Sequence, residues 1–219
     1  MNKSRSIVLA CIVTLGIITV SANADLYKFQ PTPDIDLAGL DHHYYYIWEI
    51  KDFSLPADKS VIGASLFFDN INDWTVEDGD ILYMRLLSMA DITEADVTDD
   101  VVDLWKFDSD NNIYMGYDNQ ATGDDLSDYG ILLGTYTDDD PYPNPPEDFT
   151  YNFTQSQWEL LEDLIRTDGG FGIGLEPDCH YYNSGITLEL VTTPVPAAFV
   201  LGILGLGVAG VKLRKHAKD

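Results

Sequence analysis

The chain predicts a mostly β protein: an antiparallel β-sandwich of jelly-roll type with one short amphipathic helix and a C-terminal transmembrane helix. Three observations predict it. Between residues 25 and 193 the apolar residues come in short runs, broken by clusters of Asp, Asn, Gly and Pro, the pattern of strands joined by turns. Only one stretch has helical spacing. An apolar segment followed by basic residues closes the chain.

The strands read off in order. Tyr44–Lys51 is YYYIWEIK, and Val61–Phe68 is VIGASLFF, whose alternation places Ile62, Ala64, Leu66 and Phe68 on one face. Ile81–Met89 follows, with Arg85 as its polar interruption. Val101–Phe107, Ile113–Tyr117, Ile131–Tyr136, Phe149–Phe153, Phe171–Leu175 and Ile186–Thr192 complete the set. Eight or more such strands favour a sandwich over the α+β alternative. The helix is Thr154–Thr167, with Trp158, Leu161, Leu164 and Ile165 on one side. Ser156 and Glu159 have capping-box spacing, and Gly169-Gly170 ends the helix. Tyr136–Asp148, rich in proline and acid, reads as an exposed loop.

The N-terminus is an export device. Lys3 and Arg5 precede the apolar run Ile7–Val20, and Ala22-Asn23-Ala24 supplies a small-residue cleavage site. Residues 1–24 therefore read as a secretory signal peptide, with Asp25 opening the mature chain. Cys11 lies within the apolar run and leaves with it. Residues 25–193 form one exported domain with Cys179 as its single cysteine, so no internal disulfide forms. A small buried apolar role is expected for that thiol.

The exported region holds six basic against 36 acidic residues, a formal charge of −30. Such a surface repels nucleic acid and keeps an exported protein soluble. It also attracts divalent cations. Asp108, Asp110 and Asn112 have the oxygen spacing that begins a calcium loop, with Asp118 close behind, but Ile113 and Asn119 stand where an EF-hand needs Gly and Glu. A looser Ca2+ site and a solvated turn are the two readings of this segment. A second group is Asp41-His42-His43 before one strand and Asp178-Cys179-His180 before Tyr181-Tyr182. His42, His43, Asp178, Cys179 and His180 make a transition-metal site if the two segments meet in space, and a packed turn if they do not. Cys179 and His180 are adjacent, so on a strand they point to opposite faces and make a poor nucleophile–base pair. No G-x-S-x-G, H-E-x-x-H, Walker or dinucleotide-binding motif occurs. Gly170-Phe-Gly172-Ile-Gly174 marks close backbone packing within a strand rather than a phosphate loop. Tyr44, Tyr45, Tyr46, Tyr181 and Tyr182 divide between core packing and sugar stacking. The expected classes are a non-enzymatic surface protein, then a module binding extracellular polysaccharide, then a hydrolase.

Residues 194–219 are tripartite. Pro194-Val195-Pro196-Ala197 is followed by 15 apolar residues from Ala197 to Val211, and then by Lys212, Arg214, Lys215 and Lys218. A bilayer-spanning helix needs about 20 residues, so flanking residues and a snorkelling Lys212 would stretch this one. The basic cluster sets the tail inside and the domain outside. These residues resemble the PEP-CTERM sorting signal of Gram-negative bacteria, with Val195 where the usual Glu stands between the prolines. The resemblance implies recognition by an exosortase, an integral-membrane cysteine protease, through Pro194, Val195, Pro196 and Ala197 with Lys212, Arg214 and Lys215. It further implies retention at the inner membrane before cleavage near the Pro motif, then release to the cell surface or exopolysaccharide matrix. The domain is similar to others that travel with this tail, through the Trp48 strand, Ala64–Phe68 to Trp74, and Phe171–Gly174 with Asp178–Asn183; the similarity supports the sandwich and implies no activity.

Overall fold

The computed structural model describes residues 24–31, 37–73, 80–97, 105–106, 112–117, 125–138 and 145–194. Among them the chain is mostly β, and its strands pair antiparallel in two sheets, accompanied by two short helices. One sheet contains β1 (Asp25–Phe29), β12 (Gly185–Pro194), β4 (Lys59–Asp73), β11 (Tyr181–Tyr182) and β2 (Gly39–Leu40) in that order, with β9 (Glu147–Asn152) also paired to β4. The other runs β6 (Trp105–Lys106), β7 (Ile113–Tyr117), β3 (Tyr44–Lys51), β10 (Gly170–Pro177), β5 (Asp80–Leu87) and β8 (Ile131–Asp138).

The two sheets share one apolar core. Leu66, Phe68, Leu188 and Leu190 of the first meet Trp48, Met84, Phe171 and Ile173 of the second in one buried cluster. The long β4–β12 ladder carries the first sheet, and its register corrects one expectation. Thr192 pairs with Val61 but Val191 pairs with Gly63, so Ile62 is the extra residue of a bulge. The bulge reverses the alternation: Val61 turns inward and Ile62 is 47% exposed, while Ala64, Leu66 and Phe68 stay buried. Pure period-two counting placed Ile62 with the core because it cannot register an inserted residue.

The second sheet is covered on both faces. In β3, Tyr46, Trp48 and Ile50 face the shared core while Tyr45 and Ile47 face a second cluster with Leu87, Ile92, Ala95 and Leu126. Helix α1 (Met89–Val97) and a 3-10 turn at Asp125–Asp128 supply this outer layer. The glycines of β10 make room for it. A Cβ on Gly172 would lie 2.9 Å from Ile92 Cδ1, and one on Gly174 would lie 2.9 Å from Leu126 Cδ1. The glycine alternation thus lets a helix and a turn lie flat on the strand.

Against the single amphipathic helix expected ahead of the tail, the described residues hold two α-helices. The strand starting near Ile81 stops at Leu87, and Ser88 then caps α1. Ser88 Oγ accepts from the Asp91 amide at 3.0 Å, and Asp91 Oδ2 accepts from the Ser88 amide at 2.7 Å, a reciprocal box that ends the strand and starts a helix. The expected helix, α2 (Gln155–Thr167), is capped by Thr154 rather than Ser156. The Thr154 amide donates to Gln157 Oε1 at 2.8 Å, and Gln157 Nε2 donates to the Leu133 carbonyl at 2.8 Å. Gln157 can close the box because it is buried against β8, whereas Glu159 faces out and accepts from Gln155. Helix α2 lies on β4 of one sheet and β10 of the other, with Leu161, Leu164 and Ile165 in the shared core. Gly169, at φ +71°, lets the chain turn directly into β10.

Strands β1, β2 and β11 add to the expected set, because two-residue pairings and a short edge strand leave little trace in composition. The loop expected at Tyr136–Asp148 is shorter, since β8 continues to Asp138 and β9 starts at Glu147. Of Val101–Phe107, the described residues are Trp105–Lys106, in β6.

Two predictions follow from this packing. Leu66→Ala opens a cavity in the core and lowers unfolding free energy by about 3 kcal/mol, whereas Ile62→Ala costs less than about 0.5 kcal/mol. Equal costs in urea unfolding would contradict the bulge. The Tyr136 hydroxyl donates to Glu147 Oε1 at 3.0 Å, and the ring is buried. Burial first, then the Glu147 hydrogen bond and the charge of Asp138, pushes this phenol well above its usual range. The unfolded phenol ionises near about 10, so Tyr136 contributes its full stability below that pH and loses it as pH rises further. Tyr136→Phe should flatten the alkaline fall in melting temperature; an unchanged slope would refute this assignment.

Candidate metal centre

The strands place two corners of the chain side by side. One corner, Asp41–His43, connects β2 of the first sheet to β3 of the second. The other, Asp178–His180, connects β10 of the second sheet to β11 of the first. On one side of the corners Leu40 pairs with Tyr181, and on the other Tyr46 pairs with Leu175. Two ladders therefore hold residues that are distant in sequence against each other.

Asp41, His42, His43 and His180 converge there. One ligating atom from each can be chosen so that all lie within 4.8 Å of one another. His42 Nδ1 and His180 Nδ1 are 2.9 Å apart. His43 Nδ1 lies 2.9 Å from Asp41 Oδ1, and His180 Nε2 lies 3.2 Å from Asp41 Oδ2. The His42 and His43 rings are tilted against each other at 4.0 Å, and His180 meets His42 edge-on at 4.4 Å. Tyr117 stacks outside His43 at 6.5 Å, with Tyr44 edge-on to Tyr117. All four converging residues are partly exposed.

The backbone fixes Asp41. Its carbonyl accepts from the Tyr44 amide and its Oδ1 from the His43 amide, both at 2.9 Å, which closes an Asx-type turn. Its own amide donates to the Tyr46 hydroxyl at 2.9 Å. Burial raises the Tyr46 phenol to about 12, so it stays a neutral anchor at physiological pH. Burial also pushes the Asp41 carboxyl up, but the hydrogen bonds from the His43 amide and ring and the nearby imidazoles outweigh it and hold the carboxyl below its ordinary value. Asp41 thus stands as a charged acceptor between two imidazoles.

Three of the five residues grouped from sequence belong to this cluster: His42, His43 and His180. Asp178 and Cys179 do not. Asp178 Oδ1 accepts from the Ile81 amide at 2.5 Å, which ties the corner to β5 and turns that carboxylate aside. Cys179 is buried in the shared core, its Sγ 4.0 Å from the His180 carbonyl oxygen; the thiol is inward where the imidazole is outward. The nearby carboxylate of Glu176, at the end of β10, accepts from the Leu126 amide and takes no part in the cluster. Asp41 takes the oxygen position, and its signal in the sequence is its place directly before the two histidines. Of the tyrosines, Tyr45, Tyr46 and Tyr181 are core residues, and Tyr182 is 51% exposed.

Asp108, Asp110 and Asp118 lie outside the described residues. Asn112 precedes β7 with φ +45°, and its carbonyl accepts from the Glu49 amide at 2.7 Å. Pro194 is the last residue of β12, opposite Lys59. Val195, Pro196, Ala197, Lys212, Arg214 and Lys215 lie outside the described residues, as do residues 1–23. Among the described residues no helix is long and apolar enough to cross a membrane. No protein-family model matches the chain, and no curated protein matches it.

Removing the carboxylate tests the role given to Asp41. Asp41→Ala leaves the His43 amide without its acceptor and should lower stability by about 1 kcal/mol. Asp41→Asn retains that oxygen and should cost less than half as much. Equal losses in chemical denaturation would show that the turn does not depend on this acceptor.

Proposed function

We propose that this chain is an exported, non-enzymatic component of the cell surface or exopolysaccharide matrix. Its N-terminal signal carries the domain through the inner membrane, and its tail holds it there until an exosortase cuts near Pro194-Val195-Pro196. The domain delivered is a jelly-roll-like sandwich.

The tripartite tail carries this reading: a Pro motif, a 15-residue apolar stretch and a basic end. Such a stretch is short for a permanent anchor and long enough for a temporary one. The placement of the strands supports it. Strand β1 begins at Asp25, the first residue after the expected signal, and β12 ends at Pro194, where the tail begins. The first and last of the described strands thus abut the two terminal devices, and the segment offered to a protease follows directly on β12. The charge of −30 suits a soluble role outside the cell and excludes an anionic polymer such as nucleic acid as partner.

Cell fractionation with mass spectrometry of the mature chain tests the proposal. The expected product begins at Asp25, ends near the Pro motif and partitions to the surface or matrix fraction. Mature protein that ends uniformly at Asp219 and stays in the inner membrane would overturn the processing step.

A further inference from the structure

We propose that Asp41, His42, His43 and His180 bind one divalent transition-metal ion of the zinc class, and that this ion ties together the two corners that cross between the sheets. The donor set is three imidazole nitrogens and one carboxylate oxygen. Calcium and magnesium take oxygen ligands, whereas imidazole with a single carboxylate suits zinc and its neighbours. Tetrahedral zinc with bonds of ~2.0 Å holds its donors about 3.3 Å apart. Two separations between compatible donors, His42 Nδ1 to His180 Nδ1 and His43 Nδ1 to Asp41 Oδ1, are each 2.9 Å and already close to that edge; the 3.2 Å contact of His180 Nε2 with Asp41 Oδ2 uses the other imidazole nitrogen and lies outside this donor set. Small side-chain rotations bring the remaining pairs inward from their 4.8 Å limit.

The site is built rather than incidental. Its two halves come from residues 138 apart in sequence, and ladders on both sides of the corners hold them in place. The Asp41 backbone is fixed by Tyr46 and by the turn to Tyr44 before any ion arrives. Partial exposure leaves a path for entry, and a domain of charge −30 draws cations towards it. The role fits the chain's cysteine content: with Cys179 alone in the exported domain, a metal ion supplies the long-range cross-link that a disulfide cannot.

The purified full chain is cleared with chelator and titrated with Zn2+ by calorimetry. One equivalent should bind, and melting temperature should rise by roughly 5–10 °C at a hundredfold excess over Kd. His42→Ala and His180→Ala should each abolish stoichiometric binding, while Cys179→Ala retains it, and Ca2+ should not compete. Binding that persists in the two histidine variants, or no binding by the wild type, overturns the proposal. Electron paramagnetic resonance of the Cu2+-loaded wild type gives a reading independent of how the variants fold. Nitrogen couplings from imidazole are expected, and a spectrum of oxygen donors alone refutes the site.

Discussion

The antiparallel ladder between β3 and β10 is the constraint on which the rest depends. It runs from Gly170 opposite Lys51 to Leu175 opposite Tyr46. On one face it presents Trp48, Ile50, Phe171 and Ile173 to the core shared with the other sheet. On the other it presents Tyr45 and Ile47 to the outer layer. At one end it brings the start of β3 beside the end of β10, and each chain leaves there for the first sheet. The convergence of Asp41, His42, His43 and His180 is a consequence of that pairing. A one-residue slip in the ladder would exchange its two faces and move the corners apart together.

Because the ladder is buried on both faces, its two strands solve the packing differently. β3 uses large side chains on both sides. β10 concentrates its bulk on the core face and has glycine at 170, 172 and 174 on the other. The saving in height lets Ile92 of α1 and Leu126 of the 3-10 turn sit against the β10 backbone. Glycine in a strand interior lacks a side chain to pack and loses backbone entropy on folding. Here the cost is offset by apolar burial contributed by the neighbours rather than by the strand itself.

The sequence made much of this legible, and its failures have identifiable causes. Tyr44–Lys51 and Ile113–Tyr117 coincide with observed strands because their apolar and aromatic runs end abruptly in polar turns. The core face of α2 was readable from Leu161, Leu164 and Ile165. Ile62 was misplaced because a bulge is a property of two strands at once, and its partner residues at 191 and 192 are remote in the chain. Helix α1 was missed because Ser88 and Asp91 form their box directly behind an apolar strand, whose run conceals the change of period. At the corner, adjacency identified all three histidines but could not say that Asp178 is occupied by the Ile81 amide or that Cys179 points inward. Those facts depend on β5 and the core, which no local pattern encodes.

Charge completes the architecture. With six basic residues against 36 acidic ones between residues 25 and 193, self-repulsion is built in, and where the few cations lie matters. Lys28 pairs with Glu189, its direct partner across the β1–β12 ladder, and Lys59 pairs with Asp25 at 2.9 Å. Both pairs pin β1, the short strand that opens the described fold. Each is partly exposed and individually weak, and they add to the β12 ladder and to the edge-on packing of Tyr27 and Phe29 against Phe53. They also fix the two ends of the domain relative to each other: Asp25 lies opposite Thr192, and Lys59 lies opposite Pro194. The chain therefore enters and leaves the domain on neighbouring strands at one end of the first sheet. An anchor attached at either terminus would hold the domain by that end and leave its opposite end facing away from the point of attachment.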